Sequence, residues 1–146
     1  MLEPRKLAAD DALAAHLSQA LKLEGFFPEF TAEHVEKLFP RSGLYDYPGG
    51  HRLITQGDSG RDVFIIYAGA VEVTQEFGSA AAQVAVLGAG DLLGEMALLS
   101  DGVRRATATA SGPALVFKLA FEDIQYILAN NPDLAAHLQG LARARQ

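Results

Sequence analysis

The chain has no cysteine, so neither a disulfide framework nor a thiolate metal site is available, and a reducing compartment is its expected home. It is also short of positive charge. Twelve Lys and Arg stand against 18 Asp and Glu, for a formal net charge of −6. Such a surface is not built to neutralise a nucleic-acid backbone, and nucleic-acid binding is not expected of this chain. A long hydrophobic run is missing too. The longest, VFIIYAGAV at residues 63–71, is about half of the roughly 20 residues that a membrane-spanning helix needs. The opening MLEPRKLAADDALAAHL carries acidic residues early and has no continuous apolar stretch, unlike a secretory leader. A soluble, cytoplasmic protein without a membrane partner is the expectation. Internal repeats and low-complexity tracts are likewise absent.

What is present suits one compact domain: 146 residues, 49% of them hydrophobic, can bury a packed core. Three regions differ in texture. In residues 1–41 the apolar residues Leu13, Leu17 and Leu21 recur at the helical period, which predicts a helix over 7–23 closed by Gly25. TAEHVEKLF then predicts a short helix with Thr31 as N-cap, ending before Pro40. Residues 42–120 are short runs rich in Val, Ile, Phe, Tyr and Thr, separated every eight to twelve residues by Gly, Pro or Asp. That spacing belongs to an all-β sandwich or barrel. Strands are expected at 44–47, 51–55, 62–68, 70–76, 83–87, 107–110 and 115–119, with a hairpin through Gly69 and a turn at GDSG, residues 57–60. GSAAAQV, residues 78–84, reads as a hairpin loop entering a strand. In residues 121–146 the helical period returns. Phe121, Ile124, Ile127 and Leu128 share one face, Pro132 starts a last helix, and Leu134, Leu138 and Leu141 form a stripe fit to pack on the barrel or on a second copy of the chain.

The stretch GEMALLSDGVRRATATA, residues 94–110, fits neither template. A glycine-opened turn of helix between two strands leaves its first NH groups unpaired and partially positive, which makes an anion site. If the chain folds back over that turn, Arg104 adds a planar charge suited to phosphate oxygens. Glu95, an acceptor when ionised, would take a hydroxyl of the same ligand. Phosphate beside hydroxyl describes a nucleotide or a sugar phosphate.

These residues resemble the phosphate-binding cassette of the cyclic nucleotide-binding domain family, found in kinase regulatory subunits, gated channels and bacterial transcription regulators. The family pattern is roughly F-G-E-x-A-L-x, three variable residues, then P-R-x-A-T-V. Leu93, Gly94, Glu95, Met96, Ala97 and Leu98 fill the first half, and Val103, Arg104, Ala106 and Thr107 the second. Upstream, YPGGHRLITQGDSGRDVFIIYAGAVEV is similar to the family's P-x-G-x-x-I, G-D-x-G and F-x-I-x-x-G-x-V-x-V series. The similarity covers residues 45–119, with family-like helices on both sides. It implies a mainly β fold, a jelly-roll β-barrel with flanking N-terminal and C-terminal α-helices and a cassette at 93–107. It further implies that Glu95 accepts from the ribose 2′-hydroxyl and Arg104 pairs with the cyclic phosphate. NH groups around Ala97 and Leu98 would complete the cradle, and Gly94 would allow close approach. The expected ligand is a cyclic mononucleotide, cAMP ahead of cGMP, with no other cofactor. The expected role is a non-catalytic sensor that passes a signal through its C-terminal helices.

Two departures leave alternatives open. Arg105 occupies a position that the family usually fills with a small residue. A register longer by one would make Arg105 the phosphate arginine and Ala106 its small neighbour, but the Arg104 register keeps Ala106, Thr107 and Ala110 in phase. About fourteen residues follow Pro132, too few for the helix-turn-helix of bacterial relatives, unless the chain is the sensor fragment of a larger regulator or enzyme. Other readings stay beside these. The cassette is a copy that binds nothing and serves a protein-interaction or dimerisation module, or Glu95 and Arg104 pair with each other to support the loop. The four histidines lack metal-ligand spacing, Asp58 and Asp62 read as serving their turn, and no Ser, His and acid set can be placed. Tyr45, Tyr47, Phe64 and Tyr67 read as strand packing.

Overall fold

The computed structural model describes residues 3–95 and 102–144. Strand β1 (Arg5–Leu7) precedes helices α1 (Asp11–Ala20) and α2 (Ala32–Leu38). Strands β2 (Gly43–Tyr47), β3 (Arg52–Ile54), β4 (Val63–Ala68), β5 (Val71–Phe77), β6 (Ala80–Leu87), β7 (Leu92–Leu93), β8 (Thr107–Ala110) and β9 (Ala114–Leu119) follow, and α3 (Phe121–Asn130) and α4 (Pro132–Ala144) close the chain. The strands form two antiparallel sheets, ordered β1-β2-β9-β4-β7 and β3-β8-β5-β6.

The five-stranded sheet is covered on both faces, which explains why β4 begins as an unbroken apolar run, VFII, every residue of it buried. Successive side chains point to opposite faces. Phe64 and Ile66 join Tyr47, Val71, Val73, Leu93, Ala108, Ala110 and Val116 in the layer between the sheets. Val63 and Ile65 join Leu44, Phe117 and Leu119 on the other face, under Leu13 and Leu17 of α1, Ile124 and Ile127 of α3 and Leu134 and Leu138 of α4. Tyr45 packs against the first layer and Tyr67 against the second. Burial pushes the Tyr47 hydroxyl up to about 12, with Tyr45 and Asp62 adding to the effect.

Several expectations are corrected. The barrel is not closed: closure needs one hydrogen-bonded ladder around the whole circumference, and here two separate sheets meet through side chains. Gly69 is not a hairpin turn, because β4 and β5 lie in different sheets. It is the corner where the chain changes sheet, at φ 91°, and a Cβ there would stand 2.8 Å from the Pro113 carbonyl oxygen. The hairpin is β5–β6, whose ladder runs out to Phe77 opposite Ala80, so Ala80–Gln83 is strand rather than loop. Helix α1 starts later than predicted, capped by the Asp10 carboxylate on the Leu13 NH at 2.8 Å. It ends before Gly25, the left-handed residue being Lys22 at φ 53°. Thr31 does cap α2, its NH and hydroxyl both meeting His34 Nδ1. The α4 stripe is spent inside the chain, with Leu134 and Leu138 buried and Leu141 packed against the same cluster. These three leucines are therefore not free to form a helix-to-helix seam, although a second copy was one partner the stripe suggested.

The start of α3 is held by distant residues. Its N-cap, Ala120, has no side chain to cap with. Instead the Ala120 NH donates to Ser42 Oγ at 2.8 Å and the Phe121 NH to Asp62 Oδ1 at 2.8 Å. One turn on, the buried Asp123 carboxylate accepts from the Arg41 NH at 3.0 Å and from Ser42 Oγ at 2.5 Å. Truncating Asp123 to Ala leaves these donors unsatisfied, and we expect a loss of about 2–4 kcal/mol. Urea unfolding followed by circular dichroism measures it, and a loss under about 1 kcal/mol would show that water replaces the carboxylate.

Candidate functional site

The arm that leads into β8 lies alongside the GDSG turn. Gly60 NH donates to the Gly102 carbonyl, Arg104 NH to the Asp58 carbonyl and Gly57 NH to the Arg104 carbonyl, each at 2.8 Å, and Ser59 bridges Val103. The turn is thus a backbone clasp for the arm. It needs no side chain beyond those that permit its shape, which is why its glycines are legible and its purpose is not.

The clasp sets Arg104 with its side chain inward. Arg104 is 8% exposed, the one Arg or Lys among the buried described residues. Its guanidinium lies against two glycines: a Cβ on Gly60 would come within 2.9 Å of Nε, and one on Gly94 within 2.6 Å of Nη1. Gly94 also sits at φ 79°, a conformation that side chains other than glycine rarely take. Both positions therefore favour glycine for the space the guanidinium takes. Nη2 donates to the Asp62 backbone carbonyl at 2.9 Å. Burial pushes the guanidinium below its ordinary pKa, while the Asp62 carboxylate pulls the other way.

Of the residues singled out in the sequence, Gly94 and Arg104 are brought into contact. Glu95 follows Gly94 and is half-buried. The ion pairs among the described residues are Arg5–Asp46, Lys37–Glu33 and Lys118–Asp62, so Glu95 and Arg104 are not joined in one. Met96, Ala97 and Leu98 lie outside the described residues. Arg105 is exposed, its carbonyl accepting from Gln75 Nε2 at 3.2 Å. Ala106 is half-buried against the inter-sheet core, and Thr107 Oγ1 accepts from the Gln56 NH at 3.0 Å.

Sequence reasoning missed the part played by Asp62. It was read as a turn residue, but its three oxygens face three ways: the carbonyl to Arg104, Oδ1 to the first NH of α3, and Oδ2 to Lys118 Nζ at 3.6 Å. A second path runs beside it. Gly102, at φ 88°, lies against the Arg61 side chain, which reaches over the Phe121 ring at 5.2 Å. Both paths join the arm around Arg104 to Phe121. An acidic residue just before a strand, with a helix start lacking its own cap elsewhere in the chain, was the available signal.

The histidines serve local structure. His16 Nε2 meets the Ile66 carbonyl, His137 Nε2 the Leu21 carbonyl, His34 caps α2, and His51 packs on Tyr47. Among the described residues no group of three His, Asp or Glu is placed to hold a metal ion, and no helix is long and apolar enough to cross a membrane.

An inward arginine set against two glycines, between strands of two facing sheets, now has a context in known proteins. The chain is similar to the cGMP-dependent protein kinase egl-4 of Caenorhabditis briggsae, 35% identical over 91 residues, which are 61% of this chain and 12% of the kinase. It is also similar to the cyclic AMP receptor protein of Thermus thermophilus, 33% identical over 100 residues, 68% of this chain and 46% of that protein. The chain thus spans less than half the length of these relatives. Among solved structures, a cyclic nucleotide-binding domain from Methylobacillus flagellatus superposes with a TM-score of 0.77 at 27% identity, covering 97% of this chain and 84% of that one. Residues 45–131 match the model of the cyclic nucleotide-binding domain, and the chain belongs to that family.

Proposed function

We propose that this chain is a sensor that binds a cyclic mononucleotide, cAMP in preference to cGMP, and reports it through α3 and α4. The observation that carries the reading is Arg104, a guanidinium buried at 8% exposure with a neutral carbonyl as its hydrogen-bond acceptor. Burying a charge without an ionic partner costs stability; among the described residues Arg104 has no ion pair, and an anionic ligand would offset that cost. The phosphate is assigned to Arg104 and to backbone NH groups around Ala97 and Leu98, the ribose hydroxyl to Glu95, and the close approach to Gly94. Met96 and Ala106 are assigned to the same cassette, and Arg105, which is exposed, is given no contact with the ligand. No chemical step is assigned to any of these residues.

The signal would start at Arg104. A phosphate competes with the Asp62 carbonyl for the guanidinium, and Asp62 is the residue whose carboxylate holds the α3 N-terminus. Re-aiming Arg104 therefore shifts the balance between two positions of α3, and α4 follows because both helices share the core cluster on the sheet. This is a population shift driven by differential contacts.

Two measurements test the assignment. Arg104→Ala should weaken cAMP binding by roughly 1.5–3 kcal/mol, about ten- to a hundredfold or somewhat more, in calorimetric titrations of protein stripped of nucleotide by unfolding and refolding. Loss on Arg105→Ala instead would make Arg105 the phosphate arginine, and no saturable binding to the parent protein would leave a nucleotide-free interaction module. Separately, Arg104→Met should leave the unliganded chain at least as stable, within about 1 kcal/mol, since an apolar side chain relieves the buried charge. A urea-measured loss beyond about 2 kcal/mol would identify Arg104 as a structural prop.

A further inference from the structure

The two sheets have four edges: β1 and β7 in one, β3 and β6 in the other. Strands β1, β3 and β7 are only three, three and two residues long, but β6 has eight. Natural edge strands are usually blunted by charge, proline or brevity. β6 reads AAAQVAVL and has none of these three protections, its one irregularity being the bulge at Val84. Five of its residues in a row, 80–84, are exposed. Val84 and Val86 are 52% and 58% exposed, and Phe77, across the turn, is 60% exposed.

The hairpin that carries this edge is already ordered. Strand β8 pairs with β5 only as far as Thr74. Beyond it, the Gln56 side chain takes the place of a neighbouring strand, accepting from the Glu76 NH at 2.8 Å and donating to the Glu76 carbonyl at 3.2 Å. Gln75 Nε2 continues the contact to the Arg105 carbonyl. A partner strand would therefore meet a template whose ordering entropy has been met in folding.

We propose that β6 is a self-association edge, through which two copies of the chain pair antiparallel about a two-fold axis and join their four-stranded sheets into one. A second copy suits this edge for reasons of charge. Two-fold antiparallel pairing sets each residue opposite another residue of the same strand, so a charge near the axis, or charges of one sign along the strand, would face like charge. β6 carries none, so pairing through it adds no like-charge contact at the strand in a chain whose net charge is −6. The one other self-association surface the sequence offered, the α4 leucine stripe, is buried within the chain. Pairing is isologous, uses up the edge in both copies and stops at the dimer. A bulge at Val84, where Val73 and Thr74 face Ala85 and Gln83, bends the strand, so the regular stretch Ala80–Gln83 makes the pairing and its alanines allow close approach. A contact this short buries well under the roughly 800 Å² per partner of a standard interface, so the dimer is weak and reversible.

Sedimentation velocity on the full chain, from micromolar to near-millimolar concentration, tests this. The parent protein should shift with concentration from monomer toward twice the monomer mass. Ala81→Lys and Ala82→Lys, made separately on opposite faces of the exposed strand, should each remain monomeric with an unchanged circular dichroism spectrum. Tyr126→Lys, on the exposed face of α3, should dimerise as the parent does. A parent that stays monomeric throughout overturns the proposal and leaves the edge to an extended segment of another protein. It is equally overturned by dimers that persist in both β6 variants, by dimers lost in Tyr126→Lys, or by species larger than a dimer.

Discussion

Helix α3 begins at a place where its own sequence supplies no cap. The first NH groups of any helix need acceptors, and Leu119 and Ala120 have no side-chain oxygen to give. Asp62 and Ser42 supply the acceptors from 59 and 78 residues away, and Asp123 returns the favour by binding Ser42 and the Arg41 NH. The position of the C-terminal helices thus depends on the segment before β4, and that segment also holds Arg104. A helix with a Ser or Asp N-cap of its own would sit on the sheet with less regard for what happens at the arginine. The missing local cap is what ties the helices to the site.

The surroundings of Arg104 follow the same economy. A buried guanidinium is commonly stabilised by a carboxylate at contact distance, yet here its hydrogen bond goes to a backbone carbonyl and the nearest walls are two glycines. The space that Gly60 and Gly94 leave is taken by the guanidinium itself, and the clasp of three backbone hydrogen bonds fixes the arm without contributing charge. Such an environment keeps the cation in a low-dielectric position, where its interaction with an arriving anion is stronger than in water, and among the described residues no carboxylate is ion-paired with it for the anion to displace.

Much of this architecture was legible in the sequence. The seven predicted strands all exist, because alternation and Gly, Pro or Asp punctuation are local signals and the inter-sheet core repeats them faithfully. β1 and β7 went unseen since strands of three and two residues carry no period of their own and form only because β2 and β4 offer them ladders. The corner at Gly69 and the hairpin at Gly78 look alike as sequence: each is a glycine between two predicted strands, and only the packing of Gly69 against Pro113 and Ala114 distinguishes them. Within the site, the glycine, glutamate and arginine stood out by residue type and spacing. Asp62 did not, for its partners are a backbone carbonyl's donor and a helix start that no spacing in the chain brings next to it.

The two adjacent arginines show how much a single backbone constraint decides. Neighbouring residues of an extended arm face opposite ways, so either Arg104 or Arg105 can face inward, but not both. The GDSG clasp grips the arm at the Arg104 NH and carbonyl, and from the other side Gln75 takes the Arg105 carbonyl before β8 settles into register at Thr107 opposite Thr74. With the backbone held at both residues, a one-residue slip would break the clasp, the Gln75 contact and the β5–β8 ladder together. The same Gln75 belongs to the hairpin whose outer strand is the open β6 edge. The arm that fixes the inward arginine and the edge that faces solvent are therefore parts of one sheet, both hydrogen-bonded to β5.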